Sequence, residues 1–84
     1  MAPYDFTLVL SIPTELTDEF AERLFEAGCD DSTPSSSEGV VSIDFTREAT
    51  DLESAIRSAI ADVSATGAVV DRVEIDADAP VLKN

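Results

Sequence analysis

Apolar and polar side chains alternate along the first segment of the chain. In an extended conformation, one side of this segment carries Tyr4, Phe6, Leu8, Leu10 and Ile12. The other side carries Asp5, Thr7, Val9 and Ser11. A period of two is typical of a β-strand with one buried face. Pro13 is expected to end the strand, because proline has no N–H to donate to a neighbouring strand.

A helical period follows this strand. Apolar residues recur at three- and four-residue spacing at Leu16, Phe20, Leu24 and Ala27, with Phe25 beside them. Thr14 or Thr17 can cap the start of the helix with its hydroxyl, and Gly28 suits the position just after its end. The pattern therefore predicts a first helix that ends near Ala27.

The stretch from Cys29 to Gly39 is polar and contains Pro34 and three consecutive serines. It forms either a loop or an edge strand, where proline is tolerated best. A second clear strand is predicted from Val40 to Thr46. Its inward-facing residues are Val41, Ile43 and Phe45.

The spacing of Thr50 and Glu53 predicts a capping box at the start of a second helix. The apolar stripe of this helix consists of Leu52, Ile56, Ala59, Ile60 and Val63. Gly67 is expected to end it. A last strand is predicted from Ala68 to about Asp76. Its buried members are expected to be Val69, Val73 and Ile75.

The predicted order is β-α-(β)-β-α-β within 84 residues. This order is typical of an α+β sandwich of the ferredoxin-like type, with two helices on one face of a mainly antiparallel sheet. We expect a single acidic domain over residues 1–84, with its core at about 4–76 and a frayed tail at 77–84.

Five segments together resemble a known family: YDFTLVL (4–10), LFEAGCDD (24–31), GVVSIDF (39–45), AIRSAI (55–60) and VDRVE (70–74). They are similar to the N-terminal domain of a poorly characterised group of small bacterial helix-turn-helix proteins. In that group a DNA-binding segment follows this domain, and the present sequence ends at Asn84, where that segment would begin. The resemblance thus implies the fold of the domain without the helix-turn-helix segment, and it assigns no functional residue.

Charge restricts the partners of the chain. It has 18 acidic residues, five basic residues and no histidine, so its net charge is −13. Nucleic acid and anionic membranes are disfavoured as direct ligands, because both are bound by a surplus of Lys and Arg. No transmembrane run or signal peptide is recognisable, and the lone Cys29 cannot form an internal disulfide. We therefore expect a cytoplasmic domain that does not bind membranes.

The residues that usually carry catalysis are scarce. Without histidine there is no imidazole base, no histidine-dependent triad and no histidine-bearing zinc site. Cys29 follows a predicted helix C-terminus, where the helix dipole raises the pKa of a thiol. Asp30-Asp31 and Asp76-Ala77-Asp78 lack the spacing of a calcium loop, so solvated acidic turns are the favoured interpretation. We predict a protein that is not an enzyme and holds no metal and no cofactor.

The acidic residues are not evenly spread. Four of them, Glu15, Glu19, Glu22 and Glu26, are spaced so that a helix would align them in one stripe about 16 Å long. Like charges at this spacing destabilise a helix, so the stripe favours a role in binding. A solvated surface is the simpler interpretation of such a charge run.

A second acidic set is predicted on the outer face of the sheet and in the turn after the first helix. Its members are Asp30, Asp31, Asp44, Glu74 and Asp76, with Asp5 on the same sheet face. Carboxylates two residues apart on a strand lie about 6.6–6.8 Å apart, which suits the imitation of successive phosphates. Val9 and Val70 are expected to give this face an apolar centre for a partner or a second copy of the chain.

Together these features predict that the chain is a non-enzymatic acidic binding protein. The first hypothesis is an inhibitor that imitates nucleic acid and occupies the basic DNA- or RNA-binding surface of a bacterial defence complex, of the anti-CRISPR or anti-restriction type. The alternative is a protein-interaction or dimerisation module of a regulatory system. Such a module could be a homodimer. Its acidity would then reflect solubility or adaptation to high salt. A small metal or metabolite binder ranks third.

Overall fold

The computed structural model describes residues 2–11 and 15–75. Within these residues the chain forms six elements. They are β1 (Ala2–Leu10), α1 (Asp18–Glu26), β2 (Ser32–Ser37), β3 (Val40–Ala49), α2 (Leu52–Ser64) and β4 (Val70–Glu74). The polar stretch after α1 therefore contains an edge strand, which decides between the two alternatives that its sequence left open.

The strands form one antiparallel sheet in the order β2-β3-β1-β4. Strands β1 and β2 are both antiparallel to β3, so they run parallel to each other with β3 inserted between them. Strands β3 and β4 are related in the same way, with β1 inserted. These two interleaved split βαβ units make the ferredoxin-like α+β sandwich that the sequence predicted.

Both helices pack on one face of the sheet, which we call the core face. The core joins side chains of the strands to Phe20 and Leu24 of α1 and to Ala55, Ala59 and Val63 of α2. Phe6 and Phe45 lie opposite each other in the β1–β3 register, and their rings stack with centroids 5.4 Å apart. No described helix lies on the other side of the sheet, which we call the uncovered face.

Phe25 does not belong to this core, although the sequence pattern placed it beside the apolar stripe of α1. Its side chain is 68% exposed, whereas that of Leu24 is 2% exposed. Successive residues of a helix are turned by about 100°, so the residue next to a buried position points away from the core. The prediction for Phe25 was wrong for this reason.

The ends of α1 follow the sequence signals. The Phe20 N–H donates to the Thr17 hydroxyl at 3.1 Å, which confirms Thr17 as the N-cap. At the other end, Gly28 has a positive φ of 105°, and the Cys29 N–H donates to the Leu24 carbonyl at 2.9 Å. This is a Schellman arrangement, which glycine adopts without steric cost.

The start of α2 differs from the predicted capping box. Asp51 is the N-cap, and its Oδ1 accepts a hydrogen bond from the Ser54 N–H at 2.7 Å. This hydrogen bond lowers the pKa of Asp51. Thr50 lies one residue outside the helix, so the prediction that Thr50 and Glu53 cap each other was wrong. A carboxylate is as good a cap as a hydroxyl, and here it occupies the position that reaches the free N–H.

Strand β4 is shorter and less regular than predicted. A bulge shifts its register against β1, so that Val9 is opposite Arg72 while Leu10 is opposite Val70. The extra residue brings both Val70 and Val73 against the core. Val69 and Ile75, which alternation alone placed in the core, are 64% and 36% exposed.

Some predictions fall outside the described residues. These are the end of the first strand at Ile12 and Pro13, the alternative cap Thr14, the acid Asp76 and the frayed tail 77–84.

Candidate interaction surfaces

Three of the predicted sheet acids share the uncovered face. Thr7 of β1 lies opposite Asp44 of β3 on one side and opposite Glu74 of β4 on the other. Asp5 lies two residues before Thr7 on the same strand, so it faces the same way. The fold therefore brings Asp5, Asp44 and Glu74 together from three strands, as alternation predicted.

Two threonines hold the carboxylates of this face. The Thr7 hydroxyl donates to Asp44 Oδ1 at 2.7 Å, and the Thr46 hydroxyl donates to Asp5 Oδ1 at 2.7 Å. Both bonds run between β1 and β3, and each has a carboxylate oxygen as its acceptor. The two carboxylates are thus oriented before any partner arrives, which reduces the entropy lost on binding.

Glu74 has a different environment from Asp5 and Asp44. Arg72 donates from Nε to Glu74 Oε2 at 3.2 Å and from Nη1 to Asp71 Oδ2 at 3.1 Å. These bonds raise the pKa of Arg72, with the one to Glu74 contributing most. All three side chains are more than half exposed, so the pairs contribute little to stability. The β4 side of the uncovered face is therefore partly neutralised, and the β1–β3 side keeps its negative charge.

The predicted acidic stripe is shorter in the structure. Glu15 precedes the N-cap of α1, so only Glu19, Glu22 and Glu26 lie on the helix, and all three are exposed. Glu19 also lies 3.9 Å from Arg23, a loose and exposed ion pair. The prediction of a four-residue helical stripe was wrong for Glu15, because the helix starts at Asp18.

The helical acids and the sheet acids form two separate surfaces. Helix α1 packs on the core face through Phe20 and Leu24, so its acidic side points away from the sheet. Asp5 and Asp44 lie on the opposite, uncovered face. A single flat partner can contact one of these surfaces but not both.

Asp31 forms an internal ion pair and is only partly exposed. Arg47 donates from Nε to Asp31 Oδ2 at 2.8 Å and from Nη2 to Asp31 Oδ1 at 3.0 Å. Both carboxylate oxygens accept from Arg47, so Asp31 is less available to a partner than its place in the predicted acidic set implied. Its neighbour Asp30 is exposed. The turn after α1 therefore offers one free carboxylate instead of two.

Arg47 is the residue that sequence reasoning missed. It is 9% exposed, and besides Asp31 it donates to Ser58 Oγ at 3.1 Å, to Asp62 Oδ2 at 3.0 Å and to the Gly28 carbonyl at 3.1 Å. Its guanidinium also lies 5.1 Å from the centre of the Phe45 ring. The sequence pattern did contain a signal for it. The alternation that places Val41, Ile43 and Phe45 on the inward side of β3 continues to Arg47 and Ala49.

The Arg47 cluster sets the ionisation of the groups around it. The hydrogen bond from Arg47 lowers the pKa of Asp31 below its ordinary range, and the pKa of Arg47 is raised in turn. Burial, followed by the charge of Asp62, raises the pKa of the Cys29 thiol to about 11. The direction predicted for Cys29 is confirmed, and its main cause is burial. The thiol is protonated near neutral pH and is a poor nucleophile.

The predicted apolar centre of the uncovered face is not there. Val9 lies on this face between its cross-strand neighbours Ser42 and Arg72, but it is only 2% exposed. Val70 is turned to the core face by the bulge of β4. Both predictions were wrong, so the uncovered face presents carboxylates and hydroxyls instead of an apolar patch.

Two further properties concern the described ranges 2–11 and 15–75. Within them, no three Asp, Glu or Cys side chains are grouped in a way that could hold a metal ion. Neither of the helices there is long and apolar enough to cross a membrane.

A scan against protein-family models, a search of curated proteins and a search of solved structures each found no match to this chain.

Proposed function

We propose that this protein is a non-enzymatic inhibitor that imitates nucleic acid and binds the basic DNA- or RNA-binding surface of another protein. The observation that carries the proposal is the pair of carboxylates on the uncovered face. Asp5 and Asp44 are each fixed by a threonine hydroxyl from the neighbouring strand. A bacterial defence complex is the class of partner that we favour, since such complexes hold nucleic acid in basic channels.

The uncovered face suits this role in shape and in charge. Asp5 and Asp44 are diagonal neighbours across β1 and β3, so their side chains start about 7–8 Å apart. Thr7, Ser42 and Thr46 lie around them and supply further polar groups. A basic surface that binds a phosphate backbone would meet acceptors in a fixed array and would exchange its bound nucleic acid for them.

The net charge of −13 would act at longer range. It speeds the encounter with a basic partner and makes the association weaken as salt is added. The acids of α1, namely Glu19, Glu22 and Glu26, contribute to this attraction from the other side of the molecule. We assign the direct contact to the sheet, because its carboxylates are ordered by hydrogen bonds and those of α1 are not.

The test starts with capture from a nuclease-treated bacterial lysate on the immobilised protein at low salt. Each captured protein is identified and purified, and its binding to a labelled DNA or RNA duplex is measured while this protein is added. We expect stoichiometric displacement of the duplex, which is lost at high salt. Failure to displace nucleic acid from any captured protein would overturn the proposal.

Three variants with the same loss of charge locate the surface. The first is Asp5→Asn, Asp44→Asn and Glu74→Gln on the uncovered face. The second is Glu19→Gln, Glu22→Gln and Glu26→Gln on α1. The third, a control outside the uncovered face, is Asp18→Asn at the start of α1, Glu38→Gln after β2 and Glu53→Gln on α2. We expect the first variant alone to lose displacement, whereas an equal loss in all three would mean that overall charge, not the uncovered face, is responsible.

A further inference from the structure

The two edges of the sheet differ in their ability to pair with another strand. Directly before β2, the Asp31 carbonyl accepts from the Thr46 N–H at 3.1 Å. By alternation, the backbone groups of Ser32, Pro34 and Ser36 therefore point away from β3. Pro34 lacks an N–H at the middle of this free edge. Strand β2 is therefore protected against pairing with a further strand.

Strand β4 lacks the proline that protects β2, although it carries a bulge and charged side chains of its own. It contains no proline, and its ends are flanked by Val69 and Ile75, two large apolar side chains that are 64% and 36% exposed. An edge strand presents unpaired N–H and C=O groups, and apolar residues beside it favour contact with another chain. Within residues 2–11 and 15–75, no strand pairs with the outer side of β4, so this is the open edge of the described sheet.

The pattern of side chains on β4 is self-complementary. Because of the bulge, Val70 and Val73 face the core side, while Asp71 and Arg72 between them are both exposed. If two copies of β4 pair antiparallel about a two-fold axis between Asp71 and Arg72, each Asp71 lies opposite Arg72 of the second copy. Val70 then lies opposite Val73, and the two bulges coincide.

We propose that this protein forms a two-fold dimer by antiparallel pairing of the β4 edges, with Asp71 opposite Arg72 of the second copy. Because Asp71 and Arg72 carry opposite charges, the strand that best complements the β4 edge is β4 of a second copy of the chain. The pairing joins the two sheets into one of eight strands, with both uncovered faces on the same side. This inference does not depend on the proposed inhibitory function.

The test is sedimentation equilibrium of the full chain over a wide concentration range. Moderate salt is included to screen the repulsion between two copies of net charge −13. We expect a reversible monomer–dimer equilibrium. Arg72→Asp should weaken dimerisation by about tenfold or more, because it places two pairs of like charges across the axis. Asp71→Arg should have the same effect.

The charge-swapped double variant, Asp71→Arg with Arg72→Asp, decides the register. It restores opposite charges across the axis and should bring dimerisation back to near the original level. Circular dichroism shows that each variant is folded, so a loss of dimer is not a loss of structure. The proposal would be overturned if the chain stays monomeric at the highest concentrations. It would also be overturned if the single variants leave dimerisation unchanged, or if the double variant does not restore it.

Discussion

The guanidinium of Arg47 and the carboxylate of Asp31 form a bidentate ion pair, with N–O distances of 2.8 and 3.0 Å. The pair ties the start of the edge strand β2 to the inward side of β3, and the remaining N–H groups of Arg47 reach α2 and the turn after α1. Strand β3, helix α2 and the turn between α1 and β2 thus meet at one side chain. In a domain of 84 residues with a small apolar core, such a cluster is important for stability.

Replacing Arg47 should therefore destabilise the fold strongly. Arg47→Met keeps the length of the side chain but leaves the carboxylates of Asp31 and Asp62 without their partner. We expect a loss of about 2–3 kcal/mol in the free energy of unfolding, at or below the range for a broken buried pair, because both carboxylates are near the surface. Urea unfolding followed by circular dichroism measures this value.

The matched control is Arg57→Met. Arg57 pairs with Glu53 at 3.3 Å, and both side chains are 77% exposed. This substitution should cost less than about 0.5 kcal/mol. Equal losses for Arg47→Met and Arg57→Met would mean that the Arg47 cluster has no special role.

The Asp31 pair also predicts a dependence on pH. Its pKa in the folded state lies below the ordinary value of 3.8, so the unfolded chain takes up the proton first as the pH falls. The stabilisation is complete above about pH 5 and is lost as the pH falls below the ordinary value and through the lowered pKa of the folded state. The difference in unfolding free energy between the wild type and Asp31→Asn should shrink over this window.

The same comparison in the Arg47→Met background identifies the cause. Without the guanidinium, the pH dependence of the Asp31→Asn difference should largely disappear. If it persists unchanged, a group other than Arg47 lowers the pKa of Asp31.

Added salt should stabilise the isolated fold. The carboxylates of a chain with net charge −13 repel one another more in the compact state than in the unfolded chain. Raising the ionic strength from about 0.01 to 0.5 M shortens the screening length and should raise the melting temperature by several degrees. Differential scanning calorimetry in NaCl and in KCl should give the same rise. A melting temperature that is flat or falls with both salts would contradict this expectation.

The N-cap of α2 gives a local test of the helix boundary. Asp51→Ala removes the acceptor of the Ser54 N–H and should lower the melting temperature by a few degrees. Thr50→Ala, one residue earlier, should change it little. If Thr50→Ala lowered the melting temperature more than Asp51→Ala, Thr50 would be the N-cap instead.

Much of this fold could be predicted from local signals, and the residues that act at a distance could not. The alternation of β1, the stripe of α2 and the caps Thr17 and Gly28 depend on neighbours within a few positions. The inward position of Arg47 extends a visible alternation, but nothing near it in the chain shows that Asp31 and Asp62 meet it. Those partners lie about fifteen residues away on either side.

The sequence by itself determined the order of elements, the ferredoxin-like class and the acidic outer face of the sheet, because period, capping and charge are local properties. Only the tertiary structure decided which acids are free and which are used internally. It separated the acids of α1 from those of the sheet, paired Asp31 with Arg47 and buried Val9. It also turned Val70 inward through a bulge in β4. These outcomes depend on register and packing between distant segments, which a local pattern does not record.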